Sequence, residues 1–484
     1  MPLFTNYYTT FRIKIKGPNS SILGIVYNLD VHKKQIFSFN YYLQSPWLVF
    51  ISLSLIFGIL MLIFLPPFAA PDEPAHFYRA YQISKLNLTS HTTNEGALGG
   101  IVLKIPPNKL FSNWKLTNDE FVSFPNTAVY SPAGYLPQST GIGLARTAKL
   151  PVGYMVLLGR FFNLLTYILL VFIAIRLVPF GKWVYCVIGL FPVAIQQAAS
   201  LSIDGITIGL CFILIALLQK LFYQKNKITN QEIAWLLLLA SGIALTKPNG
   251  LVLLIPLIFL PKSLFINIKQ KISIIGGAIL AAVTSYFMWS EVIKLKHYNT
   301  NSSQTIGLLN VNPSDQLSFI LKSPIVFFKV LFKSFIFQGT GGDAKPDFYL
   351  TSMYGYFSNF LYKLPLSLLI MGYVLLFIVL ITKEKDEKIN TSYLLSQTST
   401  FLLAILGVAV ALYLVWTPVG APQIEGIQGR YFIPFLPLLI PLGIYAKRWI
   451  NISTKSPLVL GCIVTFIASC NLLAMIILTS RWFH

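Results

Sequence analysis

The chain has 484 residues, 55% of them hydrophobic and 11% charged, and a mean hydropathy of +0.68. That composition excludes a soluble globular protein of this size and indicates an all-α polytopic membrane protein. The net charge of +21 does not call for a nucleic-acid partner, because no soluble module carries a basic face with interleaved aromatics; the lysines and arginines read instead as orientation signals in short loops.

Residues 1–44 carry Arg12, Lys14, Lys16, Lys33 and Lys34 against Asp30 and lack a compact apolar run followed by a small-residue cleavage site, so they read as a cytoplasmic tail touching lipid headgroups. The remainder, 45–484, reads as a single transmembrane domain. A crossing needs about 20 apolar residues, which places spans near 45–66, 153–178, 183–200, 204–222, 232–246, 249–262, 272–292, 359–382, 396–416, 430–446 and 457–480, about eleven in all. With the tail inside, the loops that fall on the inner side are the basic ones: 176–182, the stretch with Lys220, Lys225 and Lys227, the stretch with Lys262, Lys269 and Lys271, "KEKDEK" at 383–388, and the stretch with Lys447, Arg448 and Lys455. Counting 129–148, with Pro132 and Pro137, as a further span would turn these loops outward. That segment is therefore expected to lie on the outer side as a helix against the membrane, within a first outer loop of about 67–152; a second runs over about 293–358. Cys186, Cys211, Cys462 and Cys470 all fall in apolar segments, which suggests neither a disulfide framework nor a cysteine metal site.

This topology collects ionisable residues on the outer side: Asp72, Glu73, Arg160, Asp204, Lys247 and Arg430. Charges at the edge of hydrocarbon are costly and mark a site or a watery cavity. Locally, "FAAPDEPAHFYRAYQIS" at 68–84 predicts a short helix that starts near Pro74, with Asp72 or Glu73 as its cap, and ends near Ser84. Phe77, Ala80 and Tyr81 would form a face resting on the membrane, with His76 and Arg79 three apart on another side. A plain capping motif on an interfacial helix is the bland reading, although two acids with His76 and Arg79 exceed what a cap requires.

An acidic pair just after the first span, in "DEPAHF", resembles the signature of C-type (GT-C) glycosyltransferases. "PDEPAHFYRAY", "YSPAGYLPQ", "FPVAIQQAASLSID" and "IQGRYFIP", spread over 71–434, resemble an uncharacterised family of bacterial membrane proteins placed in that superfamily. The resemblance implies a GT-C-like bundle in the cytoplasmic membrane, its active site on the outer face. Such an enzyme moves a sugar from a polyprenyl-phosphate donor to the hydroxyl of a glycan or lipid-linked acceptor, with inversion. Carried over, Asp72 would be the general base, with Glu73 orienting it and His76 as the other candidate base. Asp72 and Glu73 would hold a divalent cation, Mg or Mn, in members that use one. Arg430, Lys247, Arg160 and Arg79 would receive the donor phosphate, and Asp204 would be a second acid for acceptor or metal. A transporter or flippase of lipid-linked sugars, or a non-catalytic partner in envelope polysaccharide assembly, are the alternatives; the first would want charges at mid-membrane.

Overall fold

The structure, a computed structural model, describes residues 39–93, 97–103, 111, 119–296, 311–337, 348–358, 362–382, 390–446 and 456–480. Most of the tail, the "KEKDEK" loop, the Lys447 to Lys455 stretch and most of the glycine-rich run at 338–350 lie outside the described residues.

Among the described residues seven helices are long and apolar enough to cross a membrane: Pro46–Phe64, Val152–Leu177, Asp204–Tyr223, Ile268–Ile293, Thr391–Val415, Gly429–Ala446 and Pro457–Ser480. Pro248–Phe259 and Leu366–Ile381 are shorter apolar helices. The protein is thus an all-helical polytopic membrane protein, but several of the expected spans are broken, and prolines explain the breaks. The predicted 183–200 span divides into Lys182–Gly189 and Pro192–Ala198, because Pro192 has no N–H to donate and holds Phe191 in extended backbone (ψ 133). Pro256 and Pro261 bound a four-residue helix in the 249–262 segment, which is otherwise 3-10 over Pro248–Leu254. Pro434 and Pro437 likewise keep Gly429–Leu439 in 3-10 geometry, which widens into an α-helix only at Ile440. Non-helical backbone at such depth is tolerable only inside protein. Gly429–Ala446 is accordingly 72% buried.

The centre of the bundle is Asp204–Tyr223, 89% buried and apolar on every side. It packs on Val152–Leu177, on Asn230–Thr246 and on the Gly429–Leu439 segment. Asn230–Thr246 starts with a capping box in which Thr229 Oγ1 accepts from the Glu232 amide at 3.2 Å and Glu232 Oε2 accepts from the Thr229 amide at 2.9 Å.

Residues 73–147, most of the segment expected as the first outer loop, contribute a second layer. A helix runs over Glu73–Ser84, starting and ending where its sequence predicts. Beside it lies an antiparallel three-stranded sheet of His91–Thr92, Leu98–Val102 and Glu120–Ser123, with Gly99 opposite Ser123 and Ile101 opposite Phe121. The ambiguous 129–148 segment forms a 3-10 turn at Pro132–Tyr135 and a helix at Leu136–Thr147, which lies along Val152–Leu177 and the Glu73–Ser84 helix. Phe77, Ala80 and Tyr81 do not rest on the membrane: they are buried in a separate apolar core with Phe124, Tyr135, Ile142 and Met155. The sheet and the 132–147 segment cover the face that the helical spacing had left free.

The two layers meet backbone to backbone. A Cβ on Gly141 would stand 2.3 Å from the Leu158 carbonyl oxygen, whereas one on Gly143 would meet nothing nearer than Ser84 Cβ at 3.8 Å. Gly141→Ala should therefore lower stability by about 1–3 kcal/mol, while Gly143→Ala should raise it by up to about 1 kcal/mol through helix propensity. Thermal unfolding of the detergent-solubilised variants reads both signs.

Candidate functional site

The first span ends at Phe64, and the chain reverses through two residues in the left-handed region, Phe68 (φ 69) and Asp72 (φ 59). Aspartate enters that region more readily than most residues. Asp72 occupies the N-cap position of the Glu73–Ser84 helix, its carbonyl accepting from the His76 amide at 3.1 Å, yet its carboxylate makes no capping hydrogen bond. The left-handed backbone turns that carboxylate outward instead. It is 48% exposed, and Oδ2 lies 3.4 Å from Arg430 Nη2.

Glu73, the next residue, points inward. Its carboxylate is fully buried against Arg160, with Nε 2.8 Å from Oε1 and Nη2 2.6 Å from Oε2, and it also accepts from the Leu201 amide at 3.2 Å. The remaining Arg160 donors reach the carbonyls of Leu62 (3.3 Å), Leu65 (2.6 Å) and Pro66 (2.9 Å), where the first span has run out of helical partners. All five N–H groups of Arg160 are in use. Arg79 is equally occupied, by the Tyr130 carbonyl (2.8 and 3.2 Å), Gln82 (2.6 Å), the Leu88 carbonyl (2.9 Å) and Ser90 (3.4 Å). Neither guanidinium has a donor left for a phosphate. These two arginines tie the outer layer together, and Glu73 belongs with them.

Four of the outer charges converge. Lys247 ends the Asn230–Thr246 helix in extended backbone (φ −138, ψ 104) and forms an ion pair with Asp204, which sits in the first turn of the central helix. That helix end favours a carboxylate. Arg430, at the start of the Gly429–Leu439 segment, lies 3.7 Å by Nε from Asp204 Oδ2, 3.4 Å by Nη2 from Asp72 and 3.4 Å by Nη1 from Gln197 Oε1. The order is therefore Lys247, Asp204, Arg430, Asp72, with charges alternating and only Asp72 open. Close approach at Gly429 sets the arginine: a Cβ there would stand 1.9 Å from the Tyr349 carbonyl oxygen, and the Gly429 amide donates to Ser352 Oγ at 2.7 Å.

Lys247 keeps its charge. Burial alone would lower its pKa, but the Asp204 carboxylate beside it outweighs burial and raises it. His76 lies at the edge of the cluster, Nδ1 2.7 Å from the Tyr135 hydroxyl. Burial lowers its pKa to about 4 despite the opposing pull of Asp72 and Asp204, so the ring is neutral at physiological pH and a weak base. Burial raises the pKa of Tyr135, so its hydroxyl stays protonated.

A divalent cation does not fit these residues. Among the described residues no three His, Cys, Asp or Glu side chains gather around a point. Glu73 is turned away to Arg160, and the two acids that come near each other are already neutralised by Arg430 and Lys247.

Tyr135, Gln197 and Tyr431 carry no charge and no distinctive spacing, although each falls in a motif: "YSPAGYLPQ", "FPVAIQQAASLSID" and "IQGRYFIP". Neutral side chains give no topological signal, and motif membership was the only trace of them.

Over residues 112–439 the sequence matches the family described as "Predicted membrane protein (DUF2142)", about two thirds of the chain, and the chain belongs to that family. No curated protein matches it. Among solved structures it is similar to the apo crystal structure of the Archaeoglobus fulgidus oligosaccharyltransferase, at 11% identity and a TM-score of 0.33, covering 89% of this chain and 56% of that one. The chain thus spans just over half the length of that protein.

Arg160→Met leaves Glu73 buried without its partner and should cost about 3–5 kcal/mol, whereas Arg160→Met combined with Glu73→Leu should recover only the part due to the unpaired carboxylate, because the carbonyls of Leu62, Leu65 and Pro66 still lack a donor. Unfolding of the single and double variants tests this. The folded pKa of His76 lies below the ordinary 6.5, so the unfolded chain takes the proton first. Its contribution is complete above pH 6.5 and is lost as pH falls toward 4, by up to about 3 kcal/mol. His76→Gln should flatten the acid limb of a stability profile.

Proposed function

For this member of a predicted membrane protein family we propose a glycosyltransferase that takes a sugar from a polyprenyl-phosphate donor and passes it, with inversion, to an acceptor hydroxyl of a glycan or lipid-linked molecule. The observation that carries the reading is the meeting of a half-exposed carboxylate, Asp72, with a buried and loosely held guanidinium, Arg430, at the mouth of the Asp204 and Lys247 pair. The motif resemblance to GT-C enzymes supports the same class. The positive-inside pattern of the loops supports an outer-face site in the cytoplasmic membrane.

In this mechanism the donor phosphate replaces Asp72 as the partner of Arg430, because phosphate offers a guanidinium stronger charge-assisted bonds than a carboxylate 3.4 Å away. The exchange frees Asp72. Its carboxylate then takes the acceptor proton as the acceptor oxygen bonds to the anomeric carbon and the bond from that carbon to the phosphate oxygen breaks. The electron pair leaves with the polyprenyl phosphate, where Arg430 and Lys247 meet the developing charge. A carboxylate is a weak base for a hydroxyl, so proton transfer comes late and positioning carries much of the rate. Asp204 holds Lys247 and Arg430 at their stations. Glu73 acts through the buried pair with Arg160, orienting Asp72 without touching substrate, and His76 supports Tyr135. No step passes through a metal.

Asp72→Asn should reduce turnover of radiolabelled polyprenyl-phosphate sugars by about 10²–10⁴-fold with folding intact; transfer at the native rate would remove the base assignment. Arg430→Lys keeps the charge and loses the planar fork, and should raise the donor KM at least about tenfold; an unchanged KM would place the phosphate elsewhere.

A further inference from the structure

Arg430 is buried, and its contacts to Gln197, Asp72 and Asp204 are long, at 3.4, 3.4 and 3.7 Å. The Tyr431 side chain is a further polar neighbour of its guanidinium. Besides the Asp204 carboxylate that lies between them, Arg430 shares an aromatic ring with Lys247: the Tyr431 centroid lies 5.4 Å from the Arg430 guanidinium carbon and 5.0 Å from Lys247 Nζ. The two cations arrive on unconnected elements, one at the end of the Asn230–Thr246 helix and the other at the start of the Gly429–Leu439 segment, and they repel each other. An aliphatic side chain between them would do nothing to hold them. Asp204 already holds them on one side, and a second carboxylate in place of the ring would compete with any anion that binds. An aromatic ring attracts both through its quadrupole and presents no charge that a phosphate must displace.

We propose that Tyr431 is a positioning residue that sets the spacing of Arg430 and Lys247 for one isoprenoid-linked phosphate, an inference that rests on the transferase reading above. Tyr431 is half-buried, its ring against both cations. The ring serves both cations and the hydroxyl adds a contact to Arg430, so substitutions sort first by aromaticity and only weakly by the hydroxyl.

The test uses the purified full-length protein in detergent, titrated calorimetrically with farnesyl phosphate and, as the uncharged control, farnesol. Tyr431→Phe and Tyr431→Trp should bind farnesyl phosphate within about threefold of the native protein. Tyr431→Leu and Tyr431→Met should bind it about tenfold more weakly, or 1.4 kcal/mol, with farnesol binding unchanged. A merely structural role would weaken both ligands together. Aliphatic variants that bind farnesyl phosphate as well as Tyr431→Phe does, or that lose both ligands equally, overturn the proposal; two aliphatic variants guard against one failing to fold. Native protein that shows no saturable binding of farnesyl phosphate overturns the donor reading beneath it, which separates the two failures.

Discussion

The layer built on the Glu73–Ser84 helix depends on the buried pair of Arg160 and Glu73. A guanidinium with five donors stands where the first span exposes its last carbonyls, and it satisfies three of them while gripping a carboxylate from the next helix and leaving no donor idle. Buried charges at such a depth are tolerable only when paired and fully hydrogen-bonded. The pair thereby fixes where the first span stops and where the Glu73–Ser84 helix begins. It also fixes the direction of the reversal between them.

That reversal divides the labour of two adjacent acids. Glu73 is drawn inward by Arg160, and Asp72, one residue earlier and in left-handed backbone, is turned out toward Arg430. A regular cap would have used the Asp72 carboxylate on the helix amides. Leaving it free is a departure from local preference, and such departures cluster at functional positions.

The other side of the cluster is assembled by broken helices. Lys247 stands where one helix gives way to 3-10 backbone, and Arg430 stands at the head of a proline-interrupted segment held close to its neighbour by Gly429. Both meet Asp204, whose place in the first turn of the central helix makes it a natural anchor for cations.

Composition and apolar runs determined by themselves that the chain is helical and polytopic, because about 20 apolar residues in a row have few other fates. Pro74 and the residues around it determined the start of the Glu73–Ser84 helix, and the loop charges brought the outer acids and cations under one heading. Only tertiary structure decided which of those charges meet. Asp72 and Arg430 are 358 positions apart, so no local pattern relates them. Four like-looking arginine and lysine candidates separated into Arg79 and Arg160, whose donors are all consumed within the fold, and Lys247 and Arg430, which meet at Asp204, a difference of partners and not of sequence. The sheet and the 132–147 segment, which bury the face of Phe77, Ala80 and Tyr81, were likewise invisible, since an apolar stripe on a helix is the same whether lipid or protein covers it.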